Sequence, residues 1–191
     1  MNDFVLKIYV VNAIINRYKI PFLISLVIAL GIVVFGGVGN WLTAVFIFLG
    51  SILGMFFLDF EFLLNSFIVD PDEEKSVEIR RIAKNKDIKG YFEYINQNEY
   101  AFDKLMIRSV LFQILFWIFI FYVINGAGQA FSLAFTLSVG ANMLYQQILE
   151  FIRTKTLRRW FWMYNGEITK KVYDSYIILM ALLYVIMVLY I

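Results

Sequence analysis

The sequence predicts an all-α fold, a polytopic transmembrane helical bundle of about five spans with a short cytoplasmic helical hairpin. Hydrophobic residues make up 61% of the 191 residues, and the mean hydropathy is +0.73, whereas an average soluble domain is only about half apolar. The apolar residues also occur in blocks of bilayer length. The segments between these blocks either contain lysine and arginine or are rich in glycine. We therefore expect one compact domain surrounded by lipid.

The first segment, residues 1–19, has apolar residues at helical spacing, among them Phe4, Ile8 and Val11. This pattern predicts an interfacial amphipathic helix on the membrane surface. The segment can also be interpreted as an extension of the first span, because its apolar stripe is wide. Since it lacks the pattern of a signal peptide, we expect no cleavage.

The first transmembrane hairpin is predicted within residues 20–69. Its first span begins at Pro21, because proline fits the first turn of a helix, and ends near Val38. A glycine-rich turn follows. The second span then begins at Trp41 and is expected to end at its first charged residue, Asp59.

Residues 70–104 form the predicted cytoplasmic helical hairpin. Asp70 is a candidate N-cap, Pro71 suits the first helical position, and Glu73 would complete a capping box. Asp87 is expected to cap a second helix. The charges of this segment are mixed, so they either only solvate it or form a docking surface.

The second transmembrane hairpin is predicted within residues 105–151, with spans over 105–124 and 130–151. Residues 152–191 then form a basic cytoplasmic loop and a fifth span from about residue 172 onward. Each of these spans is long enough to cross the hydrocarbon core of a bilayer.

The distribution of basic residues predicts the membrane topology. All 17 lysine and arginine residues lie before the first span, within residues 59–108 or within residues 152–171. Neither glycine-rich turn carries one. By the positive-inside rule, the N-terminus and both other basic segments are expected in the cytoplasm, and five spans then place the C-terminus outside. The expected location is a bacterial inner membrane.

The composition excludes several kinds of site. The chain has no cysteine and no histidine, so it lacks disulfides, thiolate metal ligands and the commonest general base. The formal net charge is only +2, and the basic residues are dispersed, which argues against nucleic acid as a partner. We expect no cofactor. The expected partners are the lipid bilayer and either further copies of this chain or another membrane protein.

Small and polar residues mark two predicted helix faces. Gly50 and Gly54 form a small-xxx-small motif in the second span, which lets another helix approach closely, and Ile47 is expected to face lipid. The fourth span carries a seam of small and polar residues at every fourth position: Ala130, Ala134, Ser138, Asn142 and Gln146. This polar seam is expected either to pack against neighbouring helices through hydrogen bonds or to line a polar pocket.

Two acidic residues, Asp59 and Glu61, lie where the second span is predicted to end. Arg108 is predicted one turn inside the third span, from where its long side chain can extend to the same level. One interpretation is an ion pair between Arg108 and Glu61 or Asp59. The other is a divalent metal ion bound by Asp59 and Glu61, since magnesium, calcium and manganese prefer oxygen ligands.

Residues 50–62, with the sequence GSILGMFFLDFEF, resemble the first motif of the membrane-bound metal-dependent hydrolase family. In that family the motif ends a helix in proline, Asp-x-Asp and histidine. Residues 140–146, GANMLYQ, are similar to a later helix in which a histidine precedes an aspartate by four residues. Small uncharacterised multi-pass bacterial membrane proteins share this layout. The resemblance covers about residues 45–151.

Of the motif positions, only Asp59 matches the family outright. The departures are Leu58, Glu61, Phe62, Asn142 and Gln146. A neutral amide neither binds a metal strongly nor takes a proton. The resemblance therefore implies the helical architecture of the family without its activity.

Three functional hypotheses follow. The first is a non-catalytic scaffold or subunit of a membrane assembly that contacts its partners through Gly50 and Gly54, the polar seam and the cytoplasmic hairpin. The second is a membrane-embedded metal-dependent hydrolase that uses Asp59 and Glu61. The third is a small oligomeric channel or transporter, which the lack of charge near the middle of the spans disfavours.

Overall fold

The structure, a computed structural model, describes residues 3–126 and 129–190, with side chains from residue 14 onward. These residues contain helices and no strand. In chain order the helices are α1 (Asp3–Phe35), α2 (Trp41–Leu64), α3 (Glu74–Lys84), α4 (Ile88–Asn98), α5 (Val110–Asn125), α6 (Ala130–Thr154) and α7 (Lys170–Leu189).

Helix α1 continues through the boundary predicted between the surface helix and the first span. It has 33 residues with Pro21 inside, which gives a length of about 50 Å. The backbone of residues 3–19 is therefore continuous with the first span. The side chains of the predicted amphipathic stripe, Phe4, Ile8 and Val11, lie outside the described part of the structure, as does the centre of the second glycine-rich turn.

Helix α2 is longer than predicted. The side chain of Asn40 caps its start by accepting a hydrogen bond of 3.0 Å from the backbone N–H of Leu42. The helix then runs past Asp59 to Leu64 and continues as a π-helical turn over Asn65–Val69. Asp59 therefore lies inside the helix, which continues beyond the predicted end of the span, and buried partners compensate the charge of Asp59.

Among the residues whose side chains the structure describes, three helical segments are apolar and long enough to cross a membrane: Ile14–Phe35, Trp41–Val69 and Lys170–Leu189. They fit a membrane protein. Helix α5 is apolar but has only 16 residues, and α6 has 25 residues but carries the polar seam.

Helices α2 and α6 run parallel to each other. A Cβ atom on Gly50 would lie 2.5 Å from the carbonyl oxygen of Phe131, and one on Gly54 would lie 2.7 Å from that of Phe135. A residue further along α2 therefore contacts a residue further along α6, as expected for helices that run in the same direction. Consequently α2 and α6 begin at the same end of the bundle.

Helices α5 and α6 are antiparallel. Gln113 near the start of α5 bonds to Gln147 near the end of α6, and Ile120 further along α5 packs beside Gly140. Tyr176 near the start of α7 also donates a hydrogen bond to Gln113. Helices α5 and α7 therefore begin at the end of the bundle where α6 finishes.

The hairpin of α3 and α4 packs under the end of α2. Asp87 caps α4 as predicted, accepting a hydrogen bond of 2.8 Å from the backbone N–H of Gly90. The predicted cap at Asp70 is wrong, because its backbone N–H bonds to Asn65 and closes the preceding π-helical turn, and α3 begins only at Glu74. A small hydrophobic core stabilises the hairpin against the end of α2. It consists of Phe62, Ile79, Ile95, Phe102 and Leu105.

Candidate functional site

Five charged side chains meet in the interior where the hairpin packs against the bundle: Arg17, Asp59, Glu61, Glu99 and Arg108. We call them the charge cluster. Arg17 donates one hydrogen bond of 2.6 Å to Asp59 and another of 2.8 Å to Glu99. Arg17 comes from α1, Asp59 from α2, and Glu99 from the turn after α4. One guanidinium group therefore connects the first two long helices to the hairpin.

Arg108 lies at the centre of the charge cluster and is only 2% exposed. Its shortest contact is with Glu99, to which Nη1 donates a hydrogen bond. Its Nε lies 3.5 Å from Oε2 of Glu61, and its Nη2 lies 3.6 Å from Oδ1 of Asp59. The structure thus brings Arg108 and Glu61 together, but Glu99 is the stronger partner.

The backbone around Arg108 explains this placement. Arg108 precedes α5, which begins at Val110 with Ser109 as its N-cap, so the prediction that Arg108 lies one turn inside a span is wrong. Its backbone N–H donates a hydrogen bond of 2.9 Å to Glu61. Because the chain has not yet entered the helix, this N–H is available to a side chain.

Asp59 is also bonded by two tyrosines. The hydroxyl of Tyr18 donates to Oδ2 of the carboxylate, and the hydroxyl of Tyr91 donates to the backbone carbonyl over 2.7 Å. Both carboxylate oxygens of Asp59 are therefore engaged, one by Arg17 and the other by Tyr18. The carboxylate is held by protein donors on two sides.

The charge cluster contains three carboxylates and two guanidinium groups. Buried charges are costly unless they are paired and hydrogen-bonded, and here each arginine contacts at least two acids. Burial by itself would raise the pKa of Glu99, but the guanidinium groups of Arg108 and Arg17 outweigh it and hold that pKa at about 2. Glu99 therefore stays ionised at neutral pH.

A second ion pair extends the charge cluster to the end of α6. Arg159 binds both carboxylate oxygens of Glu150, at 3.1 and 2.7 Å, and Trp160 donates to the same carboxylate over 3.1 Å. Arg159 also donates a hydrogen bond of 2.6 Å to the backbone carbonyl of Glu99. The basic segment after α6 is thereby attached to the hairpin.

The predicted metal ligands lie among these protein donors. Within the described ranges, no three aspartate, glutamate, histidine or cysteine side chains form a group that could hold a metal ion. Asp59 and Glu61 face arginine side chains and hydrogen-bond donors. The arrangement can neutralise charge and fix helices, and it offers an added cation few oxygen ligands.

The polar seam of α6 joins three helices. The hydroxyl of Ser138 donates to the backbone carbonyl of Ser51 over 2.6 Å and lies 2.7 Å from the hydroxyl of Ser25. The amide of Asn142 donates to Ser25 over 3.1 Å. Both seam residues are buried, so α6 is hydrogen-bonded to α1 and α2 inside the bundle.

Gln146 departs from this seam. It is only half-buried, whereas its neighbour Gln147 is fully buried and pairs with Gln113 of α5. A spacing of four residues drifts around a helix that has 3.6 residues per turn. By Gln146 the predicted row has therefore turned away from α1 and α2, and Gln147 is the polar residue that the fourfold pattern missed.

The glycine face of α2 packs against α6. Besides the backbone of Phe135, a Cβ atom on Gly54 would lie 2.8 Å from Cβ of Ser138, and Ala134 is fully buried in the same interface. Ile47 is fully buried too, so the prediction that it faces lipid is wrong. It lies one turn before Gly50 and two turns before Gly54, which places it on their face of the helix.

These burials also correct the predicted contact surfaces. Gly50, Gly54, Ser138 and Asn142 are all buried inside the chain. They cannot contact a separate partner, so that part of the scaffold hypothesis is wrong. The surface of the hairpin remains exposed.

Comparison with protein-family models, with curated proteins and with solved structures finds no match to this chain. The resemblance of residues 50–62 and 140–146 to the membrane-bound metal-dependent hydrolase family therefore stays a prediction.

Proposed function

We propose that this chain is a non-catalytic membrane protein with five transmembrane helices that acts as a scaffold or subunit of a larger membrane assembly. The supporting observation is that Asp59 and Glu61 are engaged by arginines, tyrosine and backbone within the fold. A catalytic carboxylate needs access to substrate or water. Here the carboxylates instead connect helices, which is a structural role.

The directions of the long helices support five membrane crossings. Helices α1, α5 and α7 leave the end of the bundle that holds the charge cluster, and α2 and α6 return to it. Helix α6 is less apolar than its neighbours because it lies between them, so its polar seam meets other helices rather than lipid. Its 25 residues span about 38 Å, enough to cross the hydrocarbon core.

The same arrangement supports one orientation of the chain in the membrane. The charge cluster, the hairpin and the basic segment after α6 lie at one end of the bundle, and all lysine and arginine residues belong to segments at this end. We place this end in the cytoplasm of a bacterial cell and the C-terminus on the outer side of the inner membrane.

The surface for association is the exposed face of the hairpin. With the glycine face and the polar seam occupied inside the bundle, α3 still exposes a mixture of charged and apolar side chains, including Glu74, Val77 and Arg81. Such a mixed surface suits a protein partner better than the interior of a membrane.

The experiment is to extract the protein from its own membrane in polymer-bounded lipid discs and to measure the protein mass of the particles. The proposal predicts a mass well above that of one 22.4 kDa chain, reduced by the exposed variant Arg81→Glu. Particles with one chain and no second protein would contradict it. Metal-dependent hydrolysis by these particles would favour the hydrolase hypothesis, and ion flux in liposomes would favour the channel.

A further inference from the structure

A groove beside the start of α4 combines apolar walls with exposed lysines. It lies between α1, α2 and α4 and has a volume of about 540 Å³. Lys89 is the charged residue in its lining. The apolar and aromatic residues of its walls are Ile14, Ile15, Tyr18, Phe56, Ile88 and Phe92.

The groove borders α1 at Ile14, Ile15 and Tyr18, just before the apolar run that follows Lys19. Two isoleucines at its edge are exposed, Ile15 by 56% and Ile88 by 72%. Ile88 belongs to the hairpin, which buries its other isoleucines, Ile79, Ile82 and Ile95. The acyl chains at the surface of a membrane would cover an isoleucine that is exposed at this position.

The turn that leads into the groove at Ile88 is rich in lysine. Lys84, Lys86 and Lys89 surround the turn between α3 and α4, and all three are exposed. In the part of the chain that the structure describes, none of them forms a salt bridge. The acid of this turn, Asp87, is occupied in capping Gly90.

A fourth lysine comes from α1. Lys19 follows Ile15 by four residues, so the two side chains lie on the same face of the helix, and Lys19 is exposed. Cations from two separate elements therefore flank the same apolar groove. This combination matches an amphiphile with an anionic head and an apolar tail.

We propose that the groove binds an anionic phospholipid of the surrounding membrane. An acyl chain lies against Ile15 and Ile88, and the phosphate lies beside Lys86 and Lys89. The lysines attract the negative lipid surface, and the exposed isoleucines supply the apolar contact. The bound lipid fixes the hairpin against the membrane next to α1.

The test uses the full-length protein in detergent, titrated with phosphatidylglycerol or with phosphatidylcholine of the same acyl chains, while native mass spectrometry counts the bound lipids. The variant Lys86→Asn/Lys89→Gln removes two charges, and asparagine tolerates the left-handed backbone at position 86, where φ is 55°. At about fivefold per lysine, phosphatidylglycerol binding should weaken about 25-fold, with phosphatidylcholine binding unchanged.

The matched control is Lys170→Gln/Lys171→Gln, which removes two exposed charges at the start of α7, away from the groove. This control should bind phosphatidylglycerol as the wild type does. Equal weakening by both double variants would show a general attraction to net positive charge and would overturn the proposal.

A second comparison tests the acyl chain. Ile88→Gln should weaken the binding of phosphatidylglycerol, whereas Ile68→Gln, at a similarly exposed isoleucine in the π-helical turn after α2 and outside the groove, should leave it unchanged. Because Ile88 is exposed, the substitution should not unfold the hairpin. Wild-type binding by Ile88→Gln would overturn the placement of the lipid in the groove.

Discussion

Arg17 in α1 donates a hydrogen bond of 2.6 Å to Asp59 in α2, although 42 residues separate them along the chain. The same guanidinium group reaches Glu99 at the end of the hairpin over 2.8 Å. Both acids also contact Arg108. The packing of the hairpin on the bundle therefore depends on charge compensation inside a largely apolar chain, and removing one charge should show which sign is in excess.

The first prediction compares Arg108→Gln with Glu61→Gln. The charge cluster has three carboxylates for two arginines, so losing Arg108 leaves three buried carboxylates with one cation. This should destabilise the fold by about 3–5 kcal/mol. Glu61→Gln balances the charges and keeps an acceptor for the backbone N–H of Arg108, so its cost should be only about 1 kcal/mol.

The measurement is the denaturant midpoint in detergent micelles, with Arg81→Gln as control, because Arg81 forms an exposed pair with Glu78. The control should match the wild type. If Glu61→Gln is as destabilising as Arg108→Gln, the excess of negative charge in the charge cluster does not determine the stability of the variants.

The second prediction concerns acid. The folded pKa of Glu99 is about 2, below its ordinary value of 4.5, so the ionised carboxylate stabilises the fold above pH 4.5. This contribution is lost as the pH falls from 4.5 towards 2. The thermal midpoint of the wild type should drop across this window. In Glu99→Gln the midpoint should be lower at neutral pH and should change less between pH 5 and pH 3; a drop as steep as that of the wild type would assign the acid sensitivity to other groups.

The third prediction tests the contact between α2 and α6. In Gly54→Ala the added Cβ would lie 2.7 Å from the backbone oxygen of Phe135, and a backbone atom cannot rotate away. We expect a loss of about 1–3 kcal/mol. Gly31→Ala is the matched control, since nothing lies within 4 Å of its new Cβ. A methyl group there should be neutral or stabilise by about 0.5–1 kcal/mol. Equal midpoints for the two variants would contradict the close packing.

The fourth prediction concerns topology. A reporter inserted beside Asn85, in the turn of the hairpin, should be active only in the cytoplasm, and one fused after Ile191 only outside. The reason is that every lysine and arginine belongs to segments at one end of the bundle. A cytoplasmic signal from the C-terminal fusion would mean that the chain crosses the membrane an even number of times.

The sequence predicts what depends on local pattern. The glycines of α2 and the Asp87 cap have signatures within a few residues of chain, and the structure shows a close helix approach and a cap at these positions. The pairing of Arg108 with Glu61 could be suggested because both lie next to predicted helix ends. Arg17 and Glu99 were missed as members of the charge cluster, since 82 residues separate them and no periodic pattern connects them.

The sequence also does not distinguish the lipid-facing side of a helix from its protein-facing side. Ile47 was expected to face lipid, yet it is buried against neighbouring helices. Lipid and the apolar interior of a helical bundle favour the same side chains, so hydropathy does not distinguish them. Only the small residues near Ile47 indicate the side that packs against another helix, because they recur on one face at the spacing of a helical turn.

The central claim, that Asp59 and Glu61 stabilise the fold instead of binding a metal ion, is tested most directly by thermal unfolding with and without added magnesium or manganese. Wild type, Asp59→Asn and the exposed control Arg81→Gln are compared. We predict that the metal leaves all three midpoints unchanged and that Asp59→Asn unfolds earlier in every condition, because Arg17 loses one of its two charged partners and Tyr18 loses its own. A metal-dependent rise in the wild type and in Arg81→Gln that disappears in Asp59→Asn would contradict this account, since it would show preferential metal binding to the folded state through Asp59.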